Sequence, residues 1–225
     1  LPKVKRRAEN AAISDWPDAF VGGAVCLDFI NTVEAPGTPH FADRLSSYEM
    51  LLQWSLVRGT IQSNTAAKLG RLAGQRSHEA AGVWQEALDL REELYRLVSS
   101  IENSEDASAF IKSFNARLTS LPPVCRLTGN GAGGFIHTLS GTDLREPLWP
   151  VLWSMANFLT SDHLPRLGHC HANPCRYVFI DLSRSKSRLW CSSSGCGNRE
   201  RVRRAYVARP LATERANSRS LNSKN

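Results

Sequence analysis

Four cysteines constrain this chain more than any other feature: Cys170, Cys175, Cys191 and Cys196, spaced C-x4-C-x15-C-x4-C. Two close cysteines can chelate one ion from a single tight turn. A second pair completes a tetrahedron of thiolates at ~2.3 Å around Zn²⁺. Both short loops hold turn formers, Asn173-Pro174 in the first and Ser192 to Gly195 in the second. Such loops let backbone N–H groups face the sulfurs and temper the charge of a tetrathiolate. Two disulfides are the competing arrangement. The basic N-terminal stretch has no apolar run behind it and predicts no signal peptide, which weakens the oxidised alternative. A redox pair is normally C-x-x-C. His169 and His171 flank Cys170, but four thiolates fill the shell, so both are expected to be non-ligands. A filled shell leaves no open position for a reactive water, so the expected cofactor is one structural Zn²⁺. Cys26 and Cys125 stand alone in apolar or strand-like stretches and read as small core residues.

Between the cysteine pairs the pattern predicts strand, turn, strand. Tyr177, Phe179 and Asp181 alternate with Val178, Ile180 and Leu182; Ser183–Ser187 turn; Arg188–Trp190 return the chain. A unit of ~40 residues buries too little apolar surface to fold alone, so metal binding is expected to supply its stability. After Cys196 the sequence to Arg209 reads as a helix ended by Pro210. Its helical phase puts Val202, Ala205 and Tyr206 on one face, expected to pack on the strand pair near Trp190. Arg199 and Arg203 lie one turn apart on a flank, with Arg201 and Arg204 opposite and Arg209 near the end.

The charge follows the same division. The net charge is +7, yet residues 164–225 carry a balance of +10 and residues 1–163 one of −3. This asymmetry points the C-terminal part toward a polyanion, or leaves it a solvated basic tail. At 42% hydrophobic and 22% charged residues the chain is globular, which excludes a collagen, a coiled-coil rod or full disorder. No apolar run approaches the ~18 residues a membrane span needs.

The N-terminal part reads as one mainly helical domain over 19–162, after a disordered lead-in over 1–18. Phe20 to Thr32 predicts a short apolar strand or buried turn. Ser46 to Glu49 has capping-box form and opens a helix burying Met50, Leu51 and Trp54, stopped by Gly59. A helix is expected over Thr65–Leu72. The clearest runs from Ser77 to Ile101, with Val83, Ala87, Leu90, Leu94, Leu97 and Ile101 inward and Glu86, Arg91, Glu92 and Arg96 outward. Another fits Asp106–Leu118, with Phe110, Phe114 and Leu118 on one stripe. A hairpin follows, Val124–Thr128 and Phe135–Leu139 about a glycine-rich turn, then a last helix over Glu146–Leu159. Residues 163–210 form the cysteine unit and 211–225 a disordered tail. The predicted class is α+β, mainly α: a helical domain with a small β element, followed by a treble-clef or zinc-ribbon-like ββα zinc finger.

Cys191-Ser-Ser-Ser-Gly-Cys196-Gly197-Asn198-Arg199 ends in the C-G-N-R that names the CGNR zinc finger family. Asp181-x-Ser183-Arg184 and Arg188-x-Trp190-Cys191 also resemble it. Upstream, Cys26-Leu-Asp-Phe-Ile-Asn-Thr32, Leu90-Arg-Glu-Glu-Leu-Tyr95 and Pro147-Leu-Trp-Pro150 resemble the ABATE domain that usually precedes this finger. The likeness covers about residues 20–205. One departure is that the first loop is C-x-x-N-P-C where the family has C-x-N-P-x-C; the loop length is kept. The resemblance implies a bacterial cytoplasmic protein of a kind described as a stress-induced transcription regulator, and also as a zinc-ribbon-like RNA binder.

Arg199, Arg201, Arg203, Arg204 and Arg209 are accordingly the candidate nucleic-acid contacts, since a cationic helix suits phosphates beside a groove. Asn198 serves equally well as a helix cap or a brace for the metal loop, and Arg199 as a partner for a local carboxylate or carbonyl. Asp28 and Asn31 are polar groups in an apolar segment and need partners. They either bind backbone or, with Arg91 as an anion clamp, orient a small-molecule effector. No G-x-S-x-G, H-E-x-x-H or phosphate-loop pattern occurs, and His40, His78, His137 and His163 are scattered, so no enzyme is expected. The expectation is a sensing or dimerising helical domain and a nucleic-acid-binding finger, with DNA as the partner. The alternatives are an RNA binder, in which Tyr177, Phe179 and Trp190 stack bases, and a module docking an acidic partner protein.

Overall fold

The computed structural model describes residues 20–34, 42–120, 126–129 and 134–207. Among these residues no helix is long and apolar enough to cross a membrane. The fold is mainly helical, with small two-stranded sheets and a C-terminal β-hairpin plus helix that carries the four cysteines.

The apolar segment after Gly23 is a helix, α1 (Val25–Ile30), and not the strand or turn its sequence predicts. Cys26 to Ile30 are all buried, so the segment has no polar face and no helical periodicity to read. Gly22 lies so close to α1 that a Cβ there would stand 2.7 Å from the Leu27 Cβ. Its N–H donates to Asp28 Oδ1 at 2.8 Å. Two short strands follow, β1 (Val33–Glu34) and β2 (Ala42–Asp43), paired antiparallel.

Helix α2 (Tyr48–Val57) is capped by Ser47, whose hydroxyl accepts the Met50 N–H, one residue beyond the predicted cap Ser46. Leu51 and Trp54 are buried, while Met50 is only half-buried. Gly59 ends the helix with φ of 74°, a left-handed conformation that glycine adopts without steric cost. Then come α3 (Ser63–Gln75) and the long α4 (Ser77–Glu102). Val83, Ala87, Leu90, Leu94 and Leu97 of α4 are buried as their spacing requires. Arg91 is buried too, against the expectation that it lies on the outer face. It is drawn in by Asp43, to which Nη1 and Nη2 donate at 2.8 and 2.6 Å, and by Thr32.

Helix α5 (Ser108–Thr119) buries Phe114. The predicted hairpin is β3 (Arg126–Gly129) against β4 (Phe135–Thr138). A 3-10 turn over Glu146–Leu148 leads into α6 (Trp149–Leu159), whose Pro150 sits in the first turn, where its missing N–H costs nothing. The buried Glu146 accepts the Gly141 and Thr142 N–H groups and the Ser140 hydroxyl, fastening the loop before it. Phe29 and Trp54 meet edge to face, 5.3 Å apart, in the core between α1 and α2.

The last part of the described chain is not strung on a tether. Strand β5 (Leu167–His169) pairs antiparallel with β6 (Val178–Ile180). The pairing differs from the expectation, in which Arg188–Trp190 is the partner of this strand. That segment instead reaches the loop by a bond from the His171 N–H to the Leu189 carbonyl. All three residues of β6 are buried, on both faces. Val178 and Ile180 belong to the core of the helical region, whereas Tyr177 and Phe179 pack with the cysteines. Asn31 fixes this junction: its Nδ2 donates to the Val178 carbonyl at 2.9 Å and its Oδ1 accepts the Val178 N–H at 2.8 Å. The Ile180 N–H donates to the Gly22 carbonyl, and the Tyr177 hydroxyl to Glu34. The chain closes with α7 (Cys196–Val207).

Candidate metal centre and the helix anchored to it

Cys170 leaves the end of β5, and its N–H donates to the Tyr177 carbonyl, closing the first loop at its base. Inside that loop the Cys175 N–H turns back to the Ala172 carbonyl at 2.6 Å. Cys191 ends the returning segment, and Cys196 is the first residue of α7. The Ser192 hydroxyl accepts the Gly195 N–H and the Ser192 carbonyl the Gly197 N–H, so the second loop is as tight as the first.

The four ligand sulfurs all lie within 4.8 Å of one another. The Cys191 and Cys196 sulfurs are 3.5 Å apart and those of Cys175 and Cys191 3.9 Å apart. A zinc tetrathiolate has an S···S edge of about 3.8 Å, and a disulfide a bond of about 2.05 Å. The cluster therefore fits one Zn²⁺, and the four cysteines stand as free thiols rather than two disulfides. Thiols this close do not all ionise without a cation between them. Hydrogen bonds from Cys175 and Cys191 hold Cys170 below the usual thiol range, while Cys175 is pushed up to about 12, chiefly by its bond to Cys170. His169 makes its contacts elsewhere, with Glu102 and the edge of Tyr95, and neither it nor His171 joins the sulfur cluster.

Arg188 organises the centre, a role its sequence position alone did not reveal. Its guanidinium lies 4.1 Å over the Phe179 ring. It donates to the carbonyls of Ile180, Trp190 and Cys191, and to that of Val21 in the helical region. Asp181 accepts the Ser183 and Arg188 N–H groups at 2.8 Å each, which shapes the turn leading back to Cys191.

The C-G-N-R run has a physical reading residue by residue. Cys196 is a ligand. Gly197 lies where a Cβ would stand 3.2 Å from the Ser192 carbonyl oxygen and 3.6 Å from the Trp190 ring. Arg199 donates from Nη2 to the Cys196 sulfur at 2.8 Å, and that sulfur holds the guanidinium above its usual range. Asn198 faces outward, its Oδ1 3.3 Å from Arg201 Nη1.

The rotation of α7 is opposite to the predicted one. Cys196, Gly197 and Glu200 are its buried residues. Val202 and Tyr206, expected to pack on the strands, are 61% and 79% exposed. The cause is the ligand: Cys196 must face the ion, and residues one turn on, such as Glu200, share its side. Trp190 is covered instead by Arg204, whose guanidinium lies 5.8 Å from the ring. Arg203 pairs with Glu200 at 2.8 Å. Arg209 lies outside the described residues, as do His40, Cys125 and the two terminal segments expected to be disordered.

Each of the three residues considered for an effector has a protein partner among the described residues. Asp28 pairs with Arg58 Nε at 2.8 Å, Asn31 holds Val178, and Arg91 holds Asp43. Beside the metal centre, a cleft of about 730 Å³ is lined by Glu34 and Arg44 at the first strand pair and by Arg199 and Arg203 of α7. Cys175, Cys191 and Cys196 all line it. Glu34, Arg44 and this cleft carried no signal in the sequence, because only the fold brings the first hairpin to the finger.

Residues 23–162 match the family ABATE, described as "Putative stress-induced transcription regulator", and residues 166–209 match the CGNR zinc finger. No curated protein matches the chain.

Proposed function

The chain belongs to the ABATE family of that description and carries its CGNR zinc finger, and from this premise we propose that it regulates transcription by binding duplex DNA through α7. The observation that carries the proposal is the mounting of that helix. Its first turn is fixed by a metal ligand, and every residue from Arg201 to Val207 is exposed. Arg199, Arg201, Arg203 and Arg204 lie along it in a region whose charge balance is +10. Cations on a rigid rod are suited to phosphates on both sides of a groove. Arg209 extends the series in sequence.

The zinc ion serves a structural role here, and the reading is of a regulator rather than an enzyme. The helical region, 19–162, acts as sensor or dimerisation unit, and residues 163–210 form the output, in a cytoplasmic protein. DNA is favoured over single-stranded RNA because Tyr177 and Phe179 are buried and Trp190 lies under Arg204. Bases stack on exposed rings.

The test is binding of the zinc-loaded full chain to fluorescent duplex across a salt series. Phosphate contact gives an affinity falling steeply, linearly on a log–log plot. An affinity flat in salt, or tighter binding to an acidic polypeptide or single-stranded RNA, rejects the proposal.

A further inference from the structure

We infer that the outward face of α7 is a base-reading surface, with Asn198 and Val202 meeting base edges in the major groove and the arginines on either flank meeting the phosphate walls. The inference rests on the proposed binding to DNA and adds which residues would give it sequence preference.

Successive residues turn by about 100° in an α-helix. The buried residues Cys196, Gly197 and Glu200 fix the inward direction. Diametrically outward from them lies Val202, with Asn198 and Tyr206 one turn to each side and Ala205 adjoining. Arg201 borders this stripe on one edge, Arg199 and Arg203 on the other. The helix thus presents a neutral strip edged by arginines on both sides, of which Arg199 is also held by the Cys196 sulfur and Arg203 by Glu200. Val202 and Tyr206 are large and strongly exposed, at 61% and 79%, as is Val207 on the other side of the helix at 75%, which is otherwise an unfavourable way to leave apolar surface.

That cross-section matches the chemistry of a groove in duplex DNA. Its walls are anionic and take the two arginine edges. Its floor offers hydrogen-bonding edges and the thymine methyl group, which an apolar side chain contacts well. A side-chain amide such as that of Asn198 can pair with adenine N6 and N7 through two hydrogen bonds. The Arg201 contact with Asn198, at 3.3 Å, is long and exposed and is readily exchanged for a base. A protein partner fits less well. An acidic helix would match the arginine edges but leave the Asn198 amide with nothing specific to read. A second copy of α7 would set arginine against arginine.

The experiment uses the full zinc-loaded chain. A preferred duplex is first enriched from a randomised pool, then compared with a scrambled duplex of equal length. Val202→Ala and Asn198→Ala are both exposed changes, and zinc content and circular dichroism verify their folding. Each variant is expected to lose roughly tenfold or more on the preferred duplex and less than about twofold on the scrambled one. Replacing thymine by deoxyuridine removes only the methyl group. It is expected to weaken the wild-type protein several-fold and to leave Val202→Ala unaffected. Arg201→Gln is expected to weaken both duplexes alike. The inference is overturned if the Val202 and Asn198 variants discriminate as the wild type does. It is overturned equally if they change the oligomeric state while leaving duplex affinity untouched. If the wild type binds no duplex at all, the proposed function fails with it, so the two failures are distinguishable.

Discussion

The side-chain amide of Asn31 holds the peptide of Val178 from both ends, donating at 2.9 Å and accepting at 2.8 Å, across 147 residues of sequence. Both groups are buried, so water cannot replace either bond. Asn31→Ala leaves a buried carbonyl and a buried N–H without partners and is expected to cost about 2 to 3 kcal/mol. Because Val178 leads directly from the cysteine loop, the variant is also expected to release zinc faster. Urea denaturation and transfer of zinc to a chromophoric chelator measure the two effects.

Removal of zinc is expected to destabilise the helical region as well as the finger, since Val178 and Ile180 lie in the helical core. A metal that binds only the folded state raises apparent stability by ~2.7 kcal/mol at a hundredfold excess over its Kd. Thermal melts with and without chelator, followed by helical circular dichroism, measure this. A helical melting midpoint unmoved by the chelator would contradict the shared core.

Arg199→Gln removes the charged donor to the Cys196 sulfur and is expected to weaken zinc binding by roughly 10- to 100-fold, the range seen when a ligand's supporting partner is lost. Arg201→Gln, with no sulfur contact, is expected to leave zinc affinity unchanged. Competition against a chelator of known affinity separates them. A nucleic-acid assay on Arg199 variants therefore has to be run at saturating zinc.

Asp181 gives stability a dependence on pH. Hydrogen bonds from Ser183 first, then from the Arg188 N–H, hold its carboxyl below the usual carboxylate range. Between its folded and unfolded values the unfolded chain binds the extra proton. The contribution of Asp181 is thus complete above about pH 4 and lost as pH falls through the folded value. Asp181→Asn is expected to destabilise the protein at pH 7, with the difference from wild type shrinking on acidification. Urea midpoints of both proteins at matched pH values check the sign. A difference that grows on acidification would show the reverse.

The elements legible in the sequence are those set by local chemistry. Cysteine spacing gave the metal centre because chelation by neighbouring thiols depends on loop length alone. The stepping of Val83 through Leu97 gave α4 because one face of a long helix repeats its environment every turn. What stayed hidden depends on distant partners. Helix α1 packs against α4, α6 and β6, which together bury Cys26 to Ile30, so these residues carry no exposed polar stripe. Arg91 looks like an outer-face cation until Asp43 is brought to it by the first hairpin. On α7, hydrophobicity alone favours Val202 and Tyr206 inward, whereas ligation of Cys196 turns them outward. The partner of β6 stays hidden because Leu167–His169 precedes the first cysteine, where the sequence shows only a short connection.

Strand β6 is three residues long, with one side against sulfur and the other against helices. A chimera that takes its C-terminal third from an unrelated zinc finger would inherit the ion but leave a trench where Val178 and Ile180 had lain. The finger of this protein is therefore not a transplantable cassette. A graft has to carry the matching Asn31 and Gly22 along with it, and a breakpoint chosen at the exposed connection near residue 165 still parts Val178 and Ile180 from the interior they complete.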